Sequence, residues 1–243
     1  MAFSDPEFDA AVAAAGLNLR REPLAWYVDK LRRGEPFSLA RYGDGELYCM
    51  LGEIGVNGNG CRYNPVLAAE LRASLGREDP DYYYGLQRVL PEDVAKFATL
   101  RDPRRPWLDT EVFSRTLLEG GLYPLVKQLR CVRTVLVANR AVAAVTELLW
   151  SARLIEVPPR DSYTAKERIV QDILSDARHE GTAYLFSAGM GLKPAIAELH
   201  GRVGRNWLLD LGHVWDIFAG LRSRTYLETI PKEVVRRNLE PCS

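Results

Sequence analysis

The chain has little of what disulfide and thiolate or imidazole metal chemistry requires: four cysteines and three histidines in 243 residues. Cys49, Cys61, Cys131 and Cys242 show no C-x-x-C or comparable spacing, which argues against a structural zinc site and a disulfide framework and leaves reduced thiols. His179, His200 and His213 are too few for a histidine-rich two-metal hydrolase. Net charge is missing as well, with 32 Lys and Arg against 32 Asp and Glu. Nothing global therefore steers the chain to nucleic acid or to an anionic membrane. No apolar run is long enough to span a bilayer. Residues 1–7 are acidic and lack the basic opening of a signal peptide, so the expectation is a cytoplasmic protein. There is no Walker A loop, no complete dinucleotide fingerprint and no internal repeat.

What is present is an ordinary globular balance, 47% hydrophobic and 26% charged residues, in a chain long enough to bury a sizeable core. Helical spacing is read over residues 6–15 and 22–33, with Gly34 as a stop, and again over 65–75, 91–100, 111–118 and 122–129. A strand is predicted over 37–42 and another over 82–86. From residue 134 onward strand and helix alternate: strands 134–138, 154–157, 183–186 and 207–211, helices 141–151, 164–177, 192–199 and 214–221. These strands are continuously apolar, as in a parallel sheet covered on both faces. The fold class expected is α/β, Rossmann-like, a mainly parallel sheet with helices on both faces. It forms a single domain over 1–243, with a helical cover at 1–36, a core at 37–222 and a tail at 223–243. The glycine-rich stretch 52–64 reads as a loop, either a lid or plain surface. Residues 101–107 read as a linker or an excursion over the ligand, with Trp107 available to stack on a base or sugar.

In such sheets ligands sit outside the carboxyl ends of the strands, and the polar clusters of this chain fall there. Strand 37–42 runs into Gly43-Asp44-Gly45-Glu46. If the backbone stays extended through Gly45, Asp44 and Glu46 point the same way and can seat one hard cation, Mn2+ or Mg2+, whose other positions go to water and phosphate. The competing reading is local, with Asp44 capping a short helix at 46–51. Arg41, Tyr42 and Gly43 flank this turn. Asn139 and Arg140 follow strand 134–138, and residues 187–193, opening at Ser187, offer a phosphate cradle in which Gly189 and Gly191 let the backbone approach and Lys193 adds charge. At the last strand end, His213 is placed to complete the metal sphere or to bond a diphosphate, with Asp216 to orient it. Asp210 is either a structural anchor for Arg41 or a base.

The motif Phe37-Ser38-Leu39-Ala40-Arg41-Tyr42-Gly43-Asp44-Gly45-Glu46 resembles the opening signature of the bacterial GT-D type glycosyltransferases, formerly a domain of unknown function, whose metal motif is Asp-X-Glu. The strand ends Val135 to Asn139, Ile155 to Pro158, Phe186 to Gly189 and Leu209 to His213 follow in that family's order. The resemblance implies a transferase of GT-D type that takes a sugar, glucose in the first instance, from a UDP-sugar donor to a glycan or glycoprotein acceptor. It implies Asp44, Glu46 and His213 as metal contacts, with Mn2+ or Mg2+ bridging protein and diphosphate. The base stays open among Asp216, Asp210 and Glu228, and a homo-oligomer is compatible with the sequence. The alternative is a non-catalytic nucleotide or nucleotide-sugar binding domain that partners another chain.

Overall fold

Successive side chains of each strand feed two different hydrophobic cores. Ala40 and Tyr42, Val135 and Val137, Tyr184 and Phe186, and Leu208 belong to one; Leu39, Leu136 and Ala138, Ala183 and Leu185, and Trp207 and Leu209 belong to the other. A period of two with apolar residues on both sides can be satisfied only by a sheet sandwiched between helical layers. The computed structural model describes residues 5–58, 60–150, 153–176 and 179–240. Its eight strands are β1 (Leu19–Arg20), β2 (Ser38–Tyr42), β3 (Tyr82–Leu86), β4 (Trp107–Asp109), β5 (Arg133–Ala138), β6 (Arg153–Glu156), β7 (Thr182–Ser187) and β8 (Trp207–Asp210). They form one sheet in the order β1-β4-β3-β2-β8-β7-β5-β6, and every ladder in it is parallel.

One face is covered by the helices that include Pro6–Ala14, Pro65–Ser74, Lys166–Asp176 and Lys193–Leu199, and the other by those that include Leu24–Arg32, Glu111–Glu119 and Tyr123–Arg130. The start signals act as the residue types dictate. Asp5 caps the first helix by accepting from Glu7 N and Phe8 N, with Pro6 at the first turn, and Asn64 accepts from Leu67 N ahead of Pro65. Among the described residues no helix is long and apolar enough to cross a membrane.

Several expectations shift. β1 and β4 are additional strands at the far side of the sheet. Trp107 ends the stretch expected as a linker or excursion but belongs to β4, wholly buried and edge-on to Tyr42 and Phe97. The helix predicted over 141–151 is a 3-10 turn, Arg140–Val142, followed by Val145–Leu148; its expected end at Ser151, the expected end of helix 164–177 at Ala177, and Cys242 lie outside the described residues. The tail carries two short helices, Thr225–Glu228 and Lys232–Arg237. It is held because the buried Asn238 accepts from Leu122 N at 2.8 Å and donates to Leu117 O at 2.8 Å. Neither β2 nor β8 is an edge strand, and they pair with each other. The first core strand of the chain thus lies against the last.

Candidate active site

A cleft of ≈ 320 Å³ opens at the carboxyl ends of β2, β8, β7 and β5. Its walls include Arg41, Asp44, Glu46, Asn139, Ser187, Gly189, Lys193, His213 and Asp216, so most of the residues singled out by strand-end position do converge. Loop residues Asn57 and Gly58 close it from above.

The Asp44 to Glu46 turn is not extended. The helix Asp44–Leu51 starts at the first acid with Gly43 as its N-cap, which replaces both the extended reading and the reading of Asp44 as cap. Glu46 is the third helical residue, and its Oε2 accepts from Gly43 N at 2.9 Å. That is the return half of a capping box, and here it fixes the carboxylate. Asp44 is exposed, with Oδ1 accepting from Gly45 N at 2.8 Å. The two acids reach the same cleft by different routes, one tied back into the protein and one free toward solvent. Gly45 lies beneath Asn57, where an added Cβ would sit 3.1 Å from Asn57 Cβ.

Below Glu46 is a buried charge cluster. Lys193 Nζ bonds Asp210 Oδ2 and stands 3.9 Å from Glu46 Oε1. Asp210 Oδ2 also accepts from Arg41 N at 3.1 Å, and Arg41 Nε is 3.6 Å from Asp210 Oδ1. Burial alone would raise the Asp210 carboxyl; Lys193 and Arg41 outweigh it and hold the group below its ordinary range. Burial raises Glu46, against the opposing pull of Lys193 and Gly43 N–H. Asp210 is therefore the anchor of two cations, the first of the two roles open to it. Arg41 lies flat on Gly212: a Cβ there would fall 1.7 Å from Arg41 Nη2. Its Nε is buried without a hydrogen-bond acceptor. That nitrogen faces Asp210, and Arg41 as a whole lines the cleft, where its guanidinium adds positive charge.

At the opposite wall His213 donates or accepts at both ring nitrogens. Nδ1 is 3.1 Å from Asp216 Oδ2 and Nε2 meets Arg224 Nη2. Asp216 Oδ2 also accepts from Ser223 Oγ. An arginine facing Nε2 makes that nitrogen the acceptor and Nδ1 the donor to Asp216. Ser187 Oγ donates to Gly212 O, joining the ends of β7 and β8. Asn139 Oδ1 accepts from Ala141 N at 2.8 Å and so shapes the loop after β5.

Four expected ligand residues lie elsewhere. Tyr42 is fully buried on the core side of β2, its hydroxyl 2.7 Å from Ser74 Oγ. Arg140 is 80% exposed and faces Glu156 at 3.5 Å, outside the cleft wall. Gly191 is a packing residue, since a Cβ would meet Tyr163 N at 2.4 Å. Gly43 serves as helix cap. In their place the wall gains Asn57, Gln87, Arg160 and Arg224. Arg160 follows Pro158-Pro159 and Arg224 follows Arg222-Ser223, loops that carry no periodic signal; only the rule that strand ends gather ligands could have pointed to Arg160.

Among the described residues no three His, Cys, Asp or Glu side chains gather as a metal-binding group, so Asp44, Glu46 and His213 do not form a common ligand set. A narrower donor set fits a hard cation. Asp44 and Glu46 both line the cleft; Asp44 Oδ2 accepts from no described residue, and Glu46 Oε1 lies 3.9 Å from Lys193 Nζ without a hydrogen bond to it.

No family model matches the sequence, and no curated protein matches it. Solved structures do. A structure of domain of unknown function 1792 superposes with a TM-score of 0.64 at 17% identity, covering 87% of this chain and 84% of that one. A second, described as showing that this highly conserved domain has a distinct glycosyltransferase fold, gives 0.63 at 17% with the same coverage. A third, described as a new glycosyltransferase from Streptococcus sanguinis, gives 0.64 at 20%, covering 83% of each chain. The chain thus shares, over more than four fifths of its length, the fold of domain of unknown function 1792, a fold described for that domain as a distinct glycosyltransferase fold.

Proposed function

We propose that the chain is a metal-dependent glycosyltransferase that moves a sugar from a UDP-sugar donor to a hydroxyl of a glycan or glycoprotein acceptor. UDP-glucose is the first donor to test. The observation that carries this reading is the presence, in one cleft, of the carboxylates Asp44 and Glu46 together with the cations Arg41, Lys193, Arg160 and Arg224. Such a site suits a ligand that is itself a polyanion, and the likeness to a described glycosyltransferase fold supplies the reaction class.

Asp44 and Glu46 would hold Mn2+ or Mg2+, which when bound neutralises charge on the diphosphate. The protein's own part is then as follows. Arg41, which lines the cleft, offers a guanidinium to the leaving diphosphate, where a charge-assisted bond in a dry site is strong. In the reaction the bond from the sugar carbon to the diphosphate oxygen breaks and a bond to the acceptor oxygen forms. The acceptor proton goes to a carboxylate. Of the three candidates Asp216 lines the cleft, whereas Asp210 is spent on Lys193 and Arg41 and Glu228 is exposed outside the wall. His213 and Ser223 hold Asp216 by one oxygen and leave the other to take the proton.

UDP-glucose with Mn2+ is expected to give metal-dependent release of UDP. Asp44→Ala and Glu46→Ala, checked for folding by circular dichroism, should each lower that rate by about a hundredfold or more, the range for lost electrostatic groups. Full activity in both variants would remove the site. Binding of UDP with no turnover on any donor would favour the non-catalytic binding domain instead.

A further inference from the structure

A second cavity of ≈ 370 Å³ lies on the same edge of the sheet as the cleft, on the side of β4 and β1. The two are neighbours with a shared partition. Gln87 lines the cleft and the next residue, Arg88, lines the cavity; Leu221, Ser223 and Arg224 line the cleft and Tyr226 lines the cavity. Thr110, which follows Asp109 at the end of β4, is packed so closely on Gly85 that a Cβ there would meet it at 2.5 Å, with Arg41 Cγ 3.0 Å away on the other side. Neighbouring strands lie about 4.8 Å apart, so the cavity at β4 is roughly 10 Å from Arg41 at β2.

The chemistry of this cavity is balanced. Three guanidinium groups, Arg21, Arg88 and Arg115, alternate with three carboxylates, Asp9, Asp109 and Glu111. Asp109 is held between Arg21 at 3.4 Å and Arg115 at 3.5 Å. Glu111 accepts from Arg88 N at 3.1 Å and from Ser114 Oγ at 2.8 Å. A free anion would meet the carboxylates and a free cation the arginines. A neutral ligand with many hydroxyls can use both, since each hydroxyl donates and accepts. Tyr226, half-buried, adds ring surface for the C–H face of a sugar, while Phe8 is buried with the Arg88 guanidinium 5.7 Å over its ring.

We propose that this cavity is the acceptor subsite, holding an uncharged sugar unit of an acceptor glycan at least two units long. This deepens the transferase reading and rests on it. The sugar whose hydroxyl reacts must lie at the donor carbon inside the cleft, so a cavity about 10 Å away takes a unit further along the acceptor.

The test uses saturation-transfer NMR on the full chain with lactose, maltose, cellobiose and N,N′-diacetylchitobiose as probes. At least one is expected to bind, and to bind at least tenfold more weakly in Ser114→Trp, which fills the cavity from a half-buried helix position, and in Glu111→Gln, which changes one acceptor and keeps the shape. Undiminished binding in both variants, or no binding of any of the four to the native chain, overturns the subsite. Calorimetry of UDP with Mn2+ on the native chain reads the donor side by itself. Its failure alongside intact disaccharide binding would sink the transferase reading, and the acceptor role with it. Success there without disaccharide binding would sink the subsite alone.

Discussion

His200 shows how far a single residue's position decides its chemistry. It is buried at the end of helix Lys193–Leu199, with Nδ1 2.8 Å from Ser38 Oγ and Nε2 3.4 Å from Asp81 Oδ1. Burial lowers its pKa below the ordinary 6.5, against the pull of Asp81. Between the two values the unfolded chain therefore binds more protons than the native one, so stability falls as pH drops below 6.5, by about 1.4 kcal/mol for each unit of depression. His200→Gln, which can still bond Ser38, is expected to flatten the melting temperature against pH in that range; an unchanged slope would locate the titration elsewhere. Nothing in the sequence around His200 marks it as buried. The cleft-lining residues that were legible, among them Asp44, Glu46, Asn139, Ser187, Gly189, Lys193, His213 and Asp216, share one property: each follows a strand apolar enough to be placed, so its edge of the sheet was known in advance. Tyr42 and Arg140 also follow that rule yet miss the cleft, because strand-end position fixes the edge and not the direction of the side chain. Tyr42 turns to the core since an aromatic at that parity adds to the packing of Tyr84 and Trp107.

Elements were legible in proportion to their length. β5, β7 and β8 stand out as apolar runs, and their helices follow from spacing. β1 and β4, with two and three residues, carry no period of their own and exist because a neighbour offers a ladder: Trp107 N donates to Asn18 O at 2.8 Å. The extended reading of Gly43 to Glu46 failed for a similar reason. Glu46 satisfies Gly43 N–H locally, and a bond three residues away forms in preference to a continued strand. Between elements, the contact at Gly191 carries weight. It lets the loop after β7 seat against the turn at Ser162 and Tyr163, which flanks the cleft. Gly191→Ala would place a Cβ 2.4 Å from backbone nitrogen, which cannot swing aside. The expected cost is about 1–3 kcal/mol, read as a lower urea midpoint at unchanged slope, together with weaker UDP binding. An unaltered midpoint would mean that the two loops are not packed as described.

At the scale of the molecule the proposed donor site makes a thermal prediction. A ligand that binds only the native chain adds stability by mass action, about 2.7 kcal/mol at a hundredfold excess over Kd. For a domain of this size that is roughly a 5–10 °C rise in melting temperature. UDP with Mn2+ is expected to reach it and UDP with a chelator to fall well short; equal shifts would count against the two acids as a cation seat. The α/β class and the parallel sheet could be read from the sequence, but the strand order could not, since no local signal says that β2 will pair with β8. That pairing has a consequence for how the protein comes into being. The acids of the opening motif leave the ribosome early, while the lysine and aspartate that set the electrical environment of Glu46 belong to the final third of the message. A nascent polypeptide halted before Lys193 owns the grip without either counterweight, so the capacity to hold a nucleotide should switch on late and abruptly during synthesis.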